Sequence, residues 1–189
     1  MENRAIHYEI LDEITNRWSP RAFSKEELSM EDVFAVIEAA RFAPSCFNEQ
    51  PWRFILAISQ DDRAKMISIL TESNKIWAAN APVLILIVAK KIFDLDDKEN
   101  RWSAFDCGTA WGYLSLEAQR RGLITHAMGG FSVAKARESY DINEKYEPMA
   151  VVALGKYGDV ESLNEDLKKR EHPSTRKETA ELLFKSGGR

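Results

Sequence analysis

The stretch Phe54-Ile55-Leu56-Ala57-Ile58-Ser59-Gln60-Asp61-Asp62 decides the fold class of this chain. Its first five residues are all apolar and read as a strand buried on both faces. Asp61 or Asp62 can then start a helix carrying Met66, Ile67 and Leu70. No glycine-rich turn follows the strand, as a doubly wound nucleotide-binding sheet would require. Strands and helices interleave along the rest of the chain at irregular spacing. That pattern is α+β.

Upstream, residues 5 to 16 place Ile6, Ile10, Leu11 and Ile14 at helical spacing, which predicts a first amphipathic helix broken at Pro20. Ser29 can cap a second helix with apolar Val33, Phe34, Val36, Ile37 and Ala40, ended by Pro44. Downstream, Val83 to Val88 reads as a second buried strand after Pro82. Lys90 to Arg101 is charged and poor in aliphatics, hence a solvated loop or short helix. Ser103 opens the longest regular segment, and Gly122 is its expected C-cap. Its apolar residues, among them Ala104, Phe105, Ala110, Trp111, Leu114 and Leu116, spread around the helix and predict burial on several sides. A strand at Leu123–Ala127, a helix at Ser132–Tyr140, a strand at Met149–Leu154 and a final helix near Thr179–Phe184 complete the reading.

The chain has 189 residues, 44% of them hydrophobic and 30% charged, with a net charge of −4. This length suits one domain, 1–189, in which 156–189 form a polar C-terminal extension. Such a chain buries roughly 70% of its unfolded surface and needs no disulfide or structural metal. Mild acidity gives no reason to expect nucleic acid or an anionic membrane surface as a partner. The N-terminal stretch lacks the apolar core of a signal peptide, and the longest apolar run, Pro82–Ala89, is far too short to span a bilayer. Cys46 and Cys107 show neither metal-ligand nor disulfide spacing, so no metal is expected and a cytoplasmic compartment is the default. Five Trp and nine Phe can serve a core, a subunit interface or a stacking site.

Four stretches carry candidate chemistry. Arg17-Trp18-Ser19-Pro20-Arg21 brings two guanidinium groups and a hydroxyl within five residues, suited either to a phosphate or to an exposed helix end. Ala43-Pro44-Ser45-Cys46-Phe47-Asn48-Glu49-Gln50-Pro51-Trp52 is rich in amide, hydroxyl and thiol groups, which serve a ligand's polar edge or ordinary turn bonding. His126-Ala127-Met128-Gly129-Gly130-Phe131-Ser132 allows close backbone approach to a ligand or simply a tight strand-to-helix turn. His126, with no visible partner, reads as structural. Lys168-Lys169-Arg170 suits an anion or a solvated basic turn.

Taken in order, these stretches resemble the flavin-dependent nitroreductase family. The resemblance rests on Arg17 to Arg21, on Ala43-Pro44-Ser45 with Asn48, Gln50, Pro51 and Trp52, and on Asn74 ahead of Asn80-Ala81-Pro82. It continues through Met128-Gly129-Gly130-Phe131 and Leu154-Gly155 to Lys168-Lys169-Arg170. It implies a three-layer sandwich, with a central and mostly antiparallel sheet flanked by helices, in an intertwined homodimer. The 156–189 extension would contact the partner subunit. FMN would lie at the interface as the bound cofactor, with NADH or NADPH as electron donor.

Under that resemblance Arg17, Ser19, Arg21, Lys168 and Arg170 would hold the FMN phosphate and ribityl chain, with Trp18 contributing backbone. Asn74 would meet the pyrimidine edge. Gly129 and Gly130 would offer amides to the flavin, with Met128 beside the ring. Pro44, Ser45, Cys46 and Asn48 would approach from the partner chain. The flavin itself carries the chemistry, so no side chain is nominated as catalytic. The implied activity passes electrons from NAD(P)H to an electron-poor acceptor, a nitroaromatic or quinone, by a ping-pong scheme. Two other readings stand beside it: a flavin-binding or flavin-degrading protein without steady NAD(P)H turnover, and a non-catalytic interaction protein. The 90–101 segment is the expected substrate gate. Trp18, Cys46 and Gly129 depart from the commonest family patterns.

Overall fold

The computed structural model describes residues 4–184. Positions 1–3 and 185–189, the two ends of the expected 1–189 domain and the tip of its 156–189 extension, lie outside the described residues. Four strands form one sheet: β1 (Trp52–Ala57), β2 (Val83–Lys90), β3 (Ile124–Met128) and β4 (Tyr146–Gly155). Their order is β1-β2-β4-β3 and every neighbouring pair is antiparallel. The helices are α1 (Asp12–Asn16), α2 (Met30–Arg41), α3 (Gln60–Ile69), α4 (Glu72–Ala78), α5 (Ser103–Arg120), α6 (Val133–Tyr140), α7 (Glu165–Lys168) and α8 (Thr179–Leu182).

The alternation of side chains along β2 explains the layers. Leu84, Leu86 and Val88 face one core with Met66 and Ile69 of α3, Trp77 of α4 and Ala136 of α6. Val83, Ile85, Ile87 and Ala89 face the other core with Val33, Val36 and Ala40 of α2 and Ala110, Leu114 and Ala118 of α5. Both faces of this strand are therefore covered, which is why its residues form an unbroken apolar run. The result is a three-layer α+β sandwich around an antiparallel sheet, as expected.

Local chemistry sets the element ends. Ser29 Oγ accepts the Asp32 N–H at 3.0 Å and caps α2. Ser59 does the same for α3 through the Asp62 N–H, so that helix begins at Gln60 rather than at Asp61 or Asp62. Gly122, at φ 71°, closes α5: its own N–H reaches Gln119 O, and the Leu123 N–H reaches Ala118 O at 2.9 Å. β4 begins at Tyr146, before the expected Met149: a register shift between Ile87 and Val88 leaves Met149 unpaired, and the ladder continues through Pro148, Glu147 and Tyr146.

Two expectations are corrected, and one helix has no counterpart in the sequence reading. The amphipathic helix over residues 5–16 shrinks to Asp12–Asn16, and Ile6, Ile10, Leu11 and Ile14 are all exposed. Their spacing is helical, yet the chain offers them no core to cover, and periodicity without burial does not hold a helix in water. α4 goes unforeseen because it is short, and its burial is concentrated in Trp77 and Ala78. α5 is buried along one stripe only, from Ser103 through Asp106, Cys107, Ala110, Leu114 and Ser115 to Ala118. Its opposite face leaves Phe105 72% exposed and Tyr113 exposed as well.

Candidate functional site

The Arg17–Arg21 segment is extended backbone after α1, and its shape is imposed from the far end of the chain. The Glu171 carboxylate accepts the Arg21 N–H at 2.8 and 3.0 Å and the Ala22 N–H at 2.9 Å. From the other side, His126 of β3 sits 2.9 Å from Pro20 O through Nδ1 and against the Trp77 ring, centroid to centroid 4.5 Å. A third tie is Arg4, whose guanidinium donates to Thr15 O, Arg17 O and Ser174 O. These contacts bring together residues up to 170 positions apart.

The outcome is a cleft of about 360 Å³ lined by Arg17, Ser19 and Arg21, by Arg170 and Arg176 from the C-terminal segment, and by Arg4. Trp18, His126, His172 and Ser174 complete it, and no carboxylate lines it among the described residues. Burial lowers the Arg4, Arg17 and Arg21 guanidinium pKa values, Arg176 lowers those of Arg4 and Arg17 further, and at Arg21 the decrease from Arg170 is opposed by Glu171. A cleft lined by several cations suits an anion whose charge offsets their desolvation and mutual repulsion. Guanidinium forks match phosphate oxygens, and Ser19 adds a hydroxyl.

Beyond His126, β3 leads to the second glycine-bearing element. Gly130 O accepts the Thr71 N–H at 3.0 Å, the Thr71 hydroxyl at 3.1 Å and Asn74 Nδ2 at 3.0 Å. A Cβ on Gly130 would stand 2.6 Å from Asn74 Nδ2, so only glycine permits this approach. At Gly129 a Cβ would meet nothing within 4 Å, so the chain itself sets no steric demand for glycine there. Between His126 and Gly129 the strand advances about 10 Å. The arginine cleft and the glycine pair thus lie along one edge strand.

The Pro44–Asn48 loop lies elsewhere. The Cys46 N–H donates to buried Asp106 of α5 at 3.1 Å, and Ser45 Oγ accepts the Gln50 N–H at 2.9 Å. Within this tight loop Phe47, Asn48 and Gln50 all take left-handed backbone, at φ 52°, 59° and 49°. The loop feeds β1, the edge strand opposite β3, so two strands separate it from the arginine cleft in its own chain. At the usual interstrand spacing the two edges stand about 14 Å apart.

Of the expected residues, the structure gathers Arg17, Trp18, Ser19, Arg21 and Arg170, and pairs Asn74 with Gly130. It turns Lys168 away: its ammonium binds Glu161 at 2.7 Å and Glu165 at 3.1 Å, and it does not line the cleft. Met128 has its side chain buried in the core, so only its backbone can face a ligand. Pro44, Ser45, Cys46 and Asn48 sit together on the opposite edge. Sequence reasoning missed Arg4, Arg176, Ser174, His172 and Glu171, and it left His126 without a partner. These residues occupy polar segments without periodicity, and only long-range packing assembles them.

Comparison with known proteins gives the family. The model of the nitroreductase family matches residues 14–78 and 67–156. A solved structure described as an oxidoreductase containing FMN is 34% identical, superposes with a TM-score of 0.93, and covers 100% of this chain and 98% of its own. A structure from Exiguobacterium sibiricum, provisionally assigned as a nitroreductase and solved in complex with FMN, is 17% identical. Its TM-score of 0.77, with 97% of this chain and 100% of its own covered, shows shared fold. A protein of Archaeoglobus fulgidus, provisionally assigned as an NADH dehydrogenase/NAD(P)H nitroreductase, is 29% identical over 78% of this chain and 84% of its own. With the family model spanning most of the chain and a solved structure 34% identical over the whole of it, this chain belongs to the nitroreductase family.

Proposed function

We propose that this protein is an FMN-dependent oxidoreductase. It takes electrons from NADH or NADPH and delivers them to an electron-poor acceptor, a nitroaromatic or quinone, in a ping-pong sequence. The observation that carries the reading is the carboxylate-free arginine cleft at one end of β3, with the Gly129–Gly130 turn at the other. A relative at 34% identity that contains FMN supports it, as does the NAD(P)H assignment of the Archaeoglobus protein.

FMN, when bound, supplies the electron relay between nicotinamide and acceptor. The chain's residues bind and orient it. Arg17, Arg21, Arg170 and Arg176 with Ser19 would hold its phosphate, and Trp18 is kept beside them by an edge contact with Tyr157, centroids 6.0 Å apart. Asn74 has one N–H engaged by Gly130 O, leaving its second N–H and its carbonyl oxygen for the pyrimidine edge. Gly129 and Gly130 would turn backbone amides to the ring system, which favours a reduced, anionic flavin. Water exclusion and the second wall of the site fall to Pro44, Ser45, Cys46 and Asn48 of a second copy, because in one chain they stand on the opposite edge of the sheet.

A homodimer follows from that division. The outward face of α5, with Phe105 and Tyr113, joins exposed Met30 and Phe34 of α2 in an apolar surface suited to a second copy. Leu182, Leu183 and Phe184, exposed near the end of the 156–189 extension, suit the same role. No helix among the described residues is long and apolar enough to cross a membrane. The two free thiols suit a reducing, cytoplasmic setting.

The test is flavin retention by Arg17→Ala/Arg21→Ala after reconstitution with FMN and desalting. Two charge-assisted contacts, each contributing about 1.5–3 kcal/mol, imply an affinity loss of more than 100-fold. Equal retention by parent and variant would overturn the phosphate assignment.

A further inference from the structure

A second cavity, of about 480 Å³, adjoins the arginine cleft, and Arg4 and Arg176 line both. It lies between residues 4–15 and 175–182, two segments that contribute nothing to either core. Its size falls within the roughly 300–1,000 Å³ of small-molecule sites. Ile10 and Ile14, whose helical spacing has no core to cover, line it together with Tyr8, and Thr175 adds a polar group. His7 Nε2 stands 3.2 Å from the Glu178 carboxylate and ties the two segments together. An apolar wall with a few polar groups, opening from a cluster of arginines, is the chemistry of a nucleoside beside a phosphate.

The arginines at the junction have donors to spare. Among the described residues, Arg4 donates through Nε and Nη1 to backbone carbonyls, which leaves the N–H groups of Nη2. Arg176 uses Nη1 on Ser174 O and Thr175 O and keeps Nε and Nη2. A terminal phosphate presents three acceptor oxygens, and each guanidinium fork engages two, so one phosphate does not occupy Arg4, Arg17, Arg21, Arg170 and Arg176 together. Arg17, Ser19, Arg21 and His126 line the cleft alone, whereas Arg4 and Arg176 also face the second cavity. That cavity therefore opens from the side of the cleft away from His126 and β3.

We infer that the cleft and the second cavity form one site for a flavin dinucleotide, with the adenosine half of FAD in the second cavity. The inference rests on the reading above, in which the arginine cleft holds the flavin's phosphate. Arg176 then serves both phosphates, and Arg4 Nη2 meets the second. Tyr8, 77% exposed, offers its ring face to the adenine, and Ile10 and Ile14 supply apolar contact. The nicotinamide donor must meet the flavin ring, at the glycine end of β3, so a cavity beyond the phosphate end does not serve it. FMN fills the cleft alone, and FAD fills both cavities and is the tighter ligand.

The experiment strips flavin from the full-length protein and measures the Kd of FMN and of FAD by calorimetry, with light scattering alongside. One added charge-assisted contact and one aromatic contact predict that FAD binds at least about tenfold more tightly than FMN. Tyr8→Ala should weaken FAD about fivefold and leave FMN unchanged, and Tyr8→Phe should restore FAD. Ile10→Glu, which sets a carboxylate in the cavity, should weaken FAD about tenfold and again spare FMN. Both positions are exposed, so neither variant disturbs a core. FAD bound no more tightly than FMN would overturn the inference and leave the FMN reading standing. A preference for FAD that survives both Tyr8→Ala and Ile10→Glu would overturn it too, as would dissociation of the assembly in Tyr8→Ala, which would make the cavity a subunit contact. A parent protein that binds neither flavin would overturn the underlying reading as well.

Discussion

At the residue scale, His126 shows how one side chain reports on the site. Burial pushes its pKa down to about 4 from 6.5, against the opposing pull of the Pro20 carbonyl, and Arg21 and Arg17 add to the decrease. Folded His126 is therefore neutral where the unfolded chain is already protonated. Its contribution to stability is complete above pH about 6.5 and is lost as pH falls toward about 4. Tm of the parent should drop more between pH 7 and 5 than that of His126→Gln, measured by calorimetry. Parallel profiles would contradict the buried, neutral histidine. Gly130 provides a second case: the Gly130→Ala methyl falls 2.6 Å from Asn74 Nδ2 and breaks the contact to the Gly130 carbonyl. Overpacking of this type costs about 1–3 kcal/mol, and flavin affinity should fall together with Tm. Gly129→Ala, open on the chain's own side, should spare Tm and lower flavin affinity alone.

At the element scale, the α2 cap gives a prediction independent of any ligand. Ser29→Ala removes the acceptor for the Asp32 N–H and should cost about 1 kcal/mol in denaturant unfolding. Elements like this were legible in the sequence because their signals are local. The Ser29 cap, the unbroken apolar run of β2, and Gly122 after α5 each sit within a few residues of what they determine. Residues 5–16 misled because Ile6, Ile10, Leu11 and Ile14 carry helical spacing without a core to face. α4 escaped notice because seven residues hold too few periods to register, and tertiary burial of Trp77 stabilises it instead. The candidate site divides in the same way. Arg17, Ser19 and Arg21 were readable as a motif. Arg4, Arg176 and Glu171 were not, because what brings them to it is a set of bonds spanning about the whole chain. Lys168 was misplaced for the converse reason: a basic run shows charge but not direction, and Glu161 and Glu165 capture the ammonium.

At the scale of the whole molecule, the sheet sets the functional unit. One edge strand carries the arginine cleft and the glycine turn, and the loop before the other edge strand carries the residues expected to close them. In the proposed homodimer each loop would close the other chain's cleft, giving two equivalent sites. Phe105→Glu puts a charge on the exposed face of α5. It should shift the protein toward monomer in light scattering at micromolar concentration and release flavin in the same titration. Monomer that keeps its flavin would contradict the shared site. The central claim, that this chain is a flavin oxidoreductase fed by nicotinamide, is tested most directly by one absorbance measurement. The chain is reconstituted with FMN, desalted, and given NADH or NADPH under anaerobic conditions. The account predicts a retained flavin band that bleaches on addition of nicotinamide and returns when a quinone is added. A desalted protein without flavin absorbance, or a bound flavin that neither nicotinamide bleaches, would contradict it.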